Sequence, residues 1–369
     1  MQDNRRNPFQ RALIWFLASA AGLFLLAAAL TILVDPFFHY HKPLAGFPYL
    51  VDNQLSQNPG MAEHFTYDSV ILGSSMTVNF NTDWFRELMD LNTVKLSYSG
   101  AFPKDQANIM EIIFDSPNEI KKVFLGVDVI TYTGGVSQTK YPIPEYLYDD
   151  NYFNDIQYVL NKDVLLNYIL RPVADPEPTN LATVYASWWT EEYYSEQWVL
   201  HNYTSPIQVE EETVADAYIP GAKENLDVNI CPCIEENPDT QFVIFFPPYS
   251  ILYWNDVLKE NHLEATMEEY RYLAERLNAY ENVEVYFFPD REDIILDLNH
   301  YADYSHYHPD YNRFMTECFT DGTGLVVKRN GTGEKTEEKY KNAKQIEDYL
   351  SHMREIVAAF DFEALLAEK

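Results

Sequence analysis

Basic residues and cysteine are both scarce. Lys and Arg number 26 against 57 Asp and Glu, giving a formal net charge of -31. That excess repels polyanions and, with no local basic patch, argues against nucleic acid as a partner. Cysteine occurs three times. Cys231 and Cys233, separated only by Pro232, give neither an even disulfide framework nor a zinc spacing, and read as small buried or incidental thiols. There is no internal repeat and no HExxH spacing. Charge is absent altogether from residues 12–34, a run of 23 residues. That is long enough to cross a hydrocarbon core of roughly 30 Å as one helix.

Arg5, Arg6 and Arg11 precede this run and Asp35-Pro36 ends it, so the positive-inside rule keeps the N-terminus cytoplasmic and everything after Asp35 outside. A cleaved signal peptide is the rival, because Ala27-Ala28-Ala29 is rich in small residues, but the apolar run exceeds a typical h-region. An uncleaved single-pass anchor in the cell membrane is therefore expected. Phe37, Phe38, His39, Tyr40 and His41 follow it, an aromatic cluster suited to the membrane interface. His39 and His41 alternate with aromatics and lack a nearby Cys or carboxylate pair, which favours interfacial packing over metal binding.

The rest of the chain is not disordered in composition. With 369 residues, 47% hydrophobic and 15% aromatic, it can bury one large core or two smaller ones. Five short runs, 68–72, 93–96, 122–127, 241–246 and 283–288, are β-branched, aromatic and almost continuously apolar, as strands covered on both faces require. Helical stretches at 83–89, 104–114 and 263–280 fall between or beside them. The β-α-β-α-β order predicts an α/β fold with a doubly wound, mostly parallel five-stranded sheet of flavodoxin-like order, whose ligands gather beyond the carboxyl ends of the strands. The expected organisation is a cytoplasmic tail (1–11), a membrane helix (12–34), a juxtamembrane segment (35–66), the α/β domain (67–319) and a loop with a C-terminal helix (320–369). An aromatic, acidic insertion spans about 131–237 within the α/β domain. Its Trp188, Trp189 and Trp198 suit either sugar stacking or a small core. After a polar, Gly-rich hairpin or loop, one amphipathic helix is expected over 340–369. Asn202 and Asn330 head glycosylation-type sequons, which are too short to carry weight.

The first run ends in Gly73-Ser74-Ser75. A serine hydroxyl is a poor nucleophile until a base takes its proton, and that base needs a carboxylate to hold its tautomer. "LNHYADYSHYHPDY" supplies Asp303 and His306, a D-x-x-H spacing just after the fifth run. Both belong at the strand-end crevice where Ser75 also falls. The bland alternative is that Ser74 and Ser75 cap one helix and His306 another. His300 and His308 invite a metal reading, but no HExxH spacing accompanies them.

These residues resemble the SGNH or GDSL-type hydrolases and acyltransferases, in a pattern running from about residue 67 to 314 with the insertion unmatched. Gly73-Ser74-Ser75 matches the first block, with Ser75 at the nucleophile position and Ser74 where Asp is commoner. Asp303 and His306 match the closing block. Gly100, after the second run, looks like the second-block glycine whose N–H joins the Ser75 N–H in an oxyanion hole. Asp128 takes the third-block position, where many members carry Asn. This is a departure, because an ionised carboxylate cannot donate to an oxyanion.

The resemblance implies a serine esterase or O-acyltransferase without metal or other cofactor, with Asp128 and Tyr249 near a substrate pocket. Together with the anchor, it implies the membrane-anchored subfamily that works beside membrane-bound O-acyltransferases on cell-envelope polymers such as an acylated polysaccharide. "FFPPYS" at 245–250, ending the fourth run in Pro247-Pro248, is similar to that subfamily too, although a plain strand terminator also fits it. The alternative function is a non-catalytic, membrane-tethered adaptor that recruits a polymer or a membrane-bound O-acyltransferase.

Overall fold

A computed structural model describes residues 8–149, 151–187, 191–326 and 335–367, the side chains of 335–343 excepted. Arg5, Arg6, Trp188, Trp189 and Asn330 lie outside the described residues. In chain order the elements are α1 (Pro8–Val34), α2 (Gln54–His64), β1 (Ser69–Leu72), α3 (Thr82–Met89), β2 (Thr93–Lys95), α4 (Pro103–Asp115), β3 (Lys122–Gly126), α5 (Ile156–Val159), α6 (Arg171–Ala174) and α7 (Glu196–Asn202). They continue with α8 (Ile219–Asn225), α9 (Cys231–Glu236), β4 (Gln241–Phe246), α10 (Ile251–Lys259), α11 (Leu263–Asn278), β5 (Val283–Phe287), α12 (Glu292–Ile295), α13 (Pro309–Asp321), α14 (Lys335–Ala359) and α15 (Phe362–Leu366).

The strands form one all-parallel sheet in the order β2-β1-β3-β4-β5. β1, β3 and β4 are buried along nearly their whole length, which is why they read as unbroken apolar runs. Under right-handed crossovers, the reversal of direction between β1→β2 and β2→β3 puts α3 and α4 on opposite faces. Accordingly α3 packs with α13, and α4 with α9. The same reversal opens a crevice beyond the carboxyl ends of β1 and β3, the switch point of a doubly wound sheet.

The chain divides into two compact units, residues 1–65 with 143–180, and residues 66–142 with 181–369. The segment 131–237 is therefore not one insertion within the α/β domain. Its middle belongs with the N-terminal segment, and the reason is polar and aromatic pairing across long chain separations. Asp35, with φ 48° at the end of α1, accepts N–H bonds from His39 (3.0 Å), Tyr40 (2.7 Å) and His41 (3.0 Å) and the Tyr158 hydroxyl (2.8 Å). Phe37 stacks on Tyr158, the Val51 N–H is donated to Thr179 Oγ1, and the Tyr148 hydroxyl to the Leu55 carbonyl. His39 faces Asp155 at 3.4 Å, and the His41 ring meets the carbonyls of Ile32 and Lys42. The two histidines thus serve separate packing sites.

In the other unit, residues after α13 return to the sheet edge. Gly322 caps α13, the Phe287 N–H is donated to the Gly324 carbonyl, and Tyr286 pairs antiparallel with Leu325. The C-terminal segment is two helices rather than the single one expected over 340–369. It begins earlier, at Lys335, and is interrupted after Ala359, where Asp361 caps α15 through the Ala364 N–H (2.9 Å). α1 is the one described helix long and apolar enough to cross a membrane.

Candidate active site

Beyond β1 the chain must turn sharply to start a short 3₁₀ segment, Ser75–Thr77. Gly73 makes the turn at φ +146°, a region closed to most side chains, and a Cβ there would come within 2.5 Å of Thr77. The turn is braced from several sides. Thr77 Oγ1 is donated to the Ser74 carbonyl or shared with Ser97 Oγ at 2.6 Å, and the Tyr98 N–H is donated to the Gly73 carbonyl. Tyr307 donates its hydroxyl to the Met76 carbonyl at 2.7 Å. Lys95, fully buried on β2, donates its ammonium to the carbonyls of Val78 and Phe80 just downstream. Burial holds that lysine down at about 7.

The other half of the site comes from the loop before α13. The Ala302 N–H is donated to the His306 carbonyl, and Tyr301 pairs with Tyr307, so the loop closes on itself. Inside it, Asp303 Oδ1 accepts the N–H of Ser305 (2.8 Å), the hydroxyl of Ser305 (3.0 Å) and the N–H of His306 (2.8 Å). That leaves Oδ2 for His306 Nδ1 at 2.7 Å. His306 Nε2 then lies 2.8 Å from Ser75 Oγ. Burial would raise the Asp303 carboxyl, but its bonds to His306 and the two backbone N–H groups prevail and hold it at about 2.

An ionised Asp303 fixes the imidazole proton on Nδ1 and leaves Nε2 free to accept from the serine hydroxyl. This is the arrangement nucleophilic serine chemistry requires. It is Ser75, not Ser74, whose hydroxyl meets His306. Ser74 accepts the Met76 N–H as the cap of the 3₁₀ segment.

Asp128, just beyond β3, and Tyr249, just beyond β4, are brought together as partners. Tyr249 donates its hydroxyl to Asp128 Oδ1, and both side chains are buried. Asp128 also hydrogen-bonds the Ser74 side chain. Burial pushes the Asp128 carboxyl up, against the pull of Ser74, Tyr249 and the His306 ring. This carboxyl thereby joins three strand ends. Gly100 turns the chain after β2 at φ +73°, where the Ala101 N–H is donated to the Tyr98 carbonyl.

The remaining candidates lie elsewhere in their own contacts. His300 pairs with Asp297 at 2.5 Å, while His308 caps α13 through the Asp310 N–H and stacks edge-on against Tyr194. No group of three or more His, Cys, Asp or Glu among the described residues is placed to hold a metal ion. Cys231, Cys233 and Cys318 are free thiols. Trp198, on α7, packs edge-on against Tyr193 at 5.6 Å.

Three contributors escaped the sequence reading, Ser305, Lys95 and Tyr307, while the capping read as an alternative for Ser74 is present. A lysine inside an apolar strand was the one visible signal, since buried lysine needs partners. The hydroxyls carry no pattern of their own. A scan of protein-family models and searches of curated proteins and of solved structures each return no match to this chain.

Proposed function

We propose that the chain is a serine esterase or O-acyltransferase of SGNH type, held by α1 in the cell membrane with its catalytic domain outside the cytoplasm. Its substrate would be an acyl group on a cell-envelope polysaccharide, and a membrane-bound O-acyltransferase would be its partner. The observation that carries the reading is the continuous hydrogen-bonded relay from Ser75 through His306 to Asp303. A complete relay favours catalysis over a non-catalytic adaptor, for which nothing would require the imidazole to meet the hydroxyl.

In the proposed reaction His306 Nε2 takes the Ser75 proton as Oγ attacks the acyl carbonyl carbon. The negative charge that develops on the carbonyl oxygen is met by backbone N–H groups, for which Ser75 and Gly100 are the candidates. Collapse breaks the ester C–O bond, and His306 returns the proton to the departing alcohol. The acyl group then rests on Ser75. A second alcohol or water, deprotonated by His306, attacks that ester and frees the enzyme. Water gives hydrolysis and a sugar hydroxyl gives transfer, a choice set by the pocket rather than by the relay.

Asp128 fits this scheme as a positioning group. It faces Tyr249 and Ser74, so it ties the residue before Ser75 to the loop after β4 instead of donating to the oxyanion. The test is release of acetate from acetylated sugars by the full-length protein. Activity should vanish in Ser75→Ala, and equal activity in the variant would refute the assignment.

A further inference from the structure

The unit built from residues 1–65 and 143–180 exposes an apolar surface that the proposed chemistry does not use. Phe153 is 98% exposed, Ile156 61% and Val173 60%, and Tyr152, Leu166 and Leu170 of the same unit are exposed too. Leu166, Leu170 and Val173 follow the i, i+4, i+7 spacing of one helix face. Leu166 and Leu170 lie on a π-helical turn, Val164–Leu170, and Val173 on α6, which continues it. The opposite face is already used, since Val164, Ile169 and Pro172 are buried. An apolar face of this kind in water marks a contact surface.

Its neighbour in the same unit identifies the occupant. α1 is apolar and almost wholly exposed along its length, as a helix surrounded by lipid would be. Thr31 is its one buried residue, and α5 and the π-helical segment pack against it. The anchoring contacts, Phe37 N–H to the Tyr158 hydroxyl at 3.0 Å and the Tyr158 hydroxyl to Asp35, fix that packing at the end where α1 stops. The segments that carry the exposed side chains thus pack against the apolar helix α1 itself.

Charge agrees with this. Residues 152–173 carry Lys162 and Arg171 against Asp155 and Asp163, a balanced count in a chain with 57 acids against 26 bases. The acidic excess that would repel an anionic headgroup layer is missing here.

We propose that residues 152–173 form a membrane-surface element, with Tyr152, Phe153, Ile156, Leu166, Leu170 and Val173 buried at the boundary between headgroups and acyl chains of the leaflet where α1 ends. The chain is then held by one spanning helix and one lying element, which restricts rotation of this unit about the α1 axis. The inference rests on α1 being a membrane span, not on the acyl chemistry.

The test uses the full-length protein in phospholipid nanodiscs, with trifluoromethyl-phenylalanine placed singly at positions 153, 166, 111 and 25, Glu111 being an exposed residue of α4 outside the proposed element. Fluorine relaxation is measured with dissolved oxygen, which concentrates in lipid, and with a water-soluble nickel chelate. Positions 153 and 166 should resemble position 25 in α1, with an oxygen-to-nickel ratio several-fold above that of the exposed Glu111 position. A ratio at 153 and 166 equal to that at 111, with 25 still lipid-like, overturns the lying element alone. Water-like values at 25 as well overturn the membrane reading with it. Protection of 153 and 166 from both agents means a protein covers them and overturns lipid as the occupant. Phe153 is so exposed that the label there leaves the fold intact, and the 166 label reports independently.

Discussion

His306 Nε2 lies 2.8 Å from Ser75 Oγ although 231 residues separate the two in the chain. Two independent closures make this possible. The Gly73 turn aims Ser75 away from β1, and the Tyr301–Tyr307 pairing aims His306 out of its loop. Tyr307 ties the two directly, because its hydroxyl is donated to the carbonyl of Met76, the residue after Ser75.

Asp303→Asn keeps the shape of the loop but removes the charge that fixes the imidazole tautomer. The expected loss in kcat is about 10²–10⁴-fold, with KM little changed. Ser305→Ala removes one of three donors to Asp303 Oδ1 and should cost less than about tenfold. Steady-state kinetics on an aryl acetate checks both. Asp303 also contributes to stability. Its folded value of about 2 lies below the unfolded one, so its stabilisation is present above about pH 4 and is lost as pH falls through 2.

Asp128→Asn and Asp128→Ala should differ sharply. Asn can still accept from Tyr249 and reach Ser74, so activity should stay within about tenfold of the parent. Ala leaves a buried hydroxyl unpaired, which costs about 1–3 kcal/mol, and it loosens the nucleophile turn. Loss of activity of about 10²-fold is expected there, with Tyr249→Phe between the two. If Asn at 128 raised the rate a hundredfold, a direct oxyanion role for this position would replace the positioning one.

Glu269 on α11 is fully buried and neither carboxyl oxygen has a hydrogen-bond partner among the described residues. Burial pushes it up to about 9. An unfolded glutamate ionises near 4.5, so between about pH 5 and 8 the native state holds a proton the unfolded state has released. Stability from this group is complete below the unfolded value and is withdrawn as pH rises. Glu269→Gln should remove that slope and stabilise the protein at pH 8 by about 1–4 kcal/mol relative to the parent, at roughly 1.4 kcal/mol per pH unit. Urea midpoints at pH 5 and 8 measure it. An unchanged slope in the variant would show that another group is responsible.

The sheet was legible because burial on both faces leaves no polar alternation to confuse the reading. The runs at 241–246 and 283–288 match β4 and β5 to within a residue. The relay was legible for a chemical reason: Ser75, Asp303 and His306 each needed the others to make sense. The grouping of residues 143–180 with the N-terminal segment was not legible. It rests on pairs such as Tyr158 with Asp35, 123 residues apart, in which neither residue carries a local signal. The break before α15 did have a signal, an aspartate at the cap position, within a stretch whose composition favours one continuous helix. The Asp128–Tyr249 pair was hidden because strand-end positions converge only once strand order is known.

Fluorophosphonate labelling of the full-length protein, followed by peptide mapping, tests the central claim most directly. One adduct on Ser75 is expected, absent from Ser75→Ala and strongly slowed in His306→Ala. It should persist in Ser74→Ala, which loses a cap worth about 1 kcal/mol and the contact to Asp128 but leaves Ser75, His306 and Asp303 in place. Folded parent protein that takes up no label, or takes it up on a serine other than Ser75, would contradict the account.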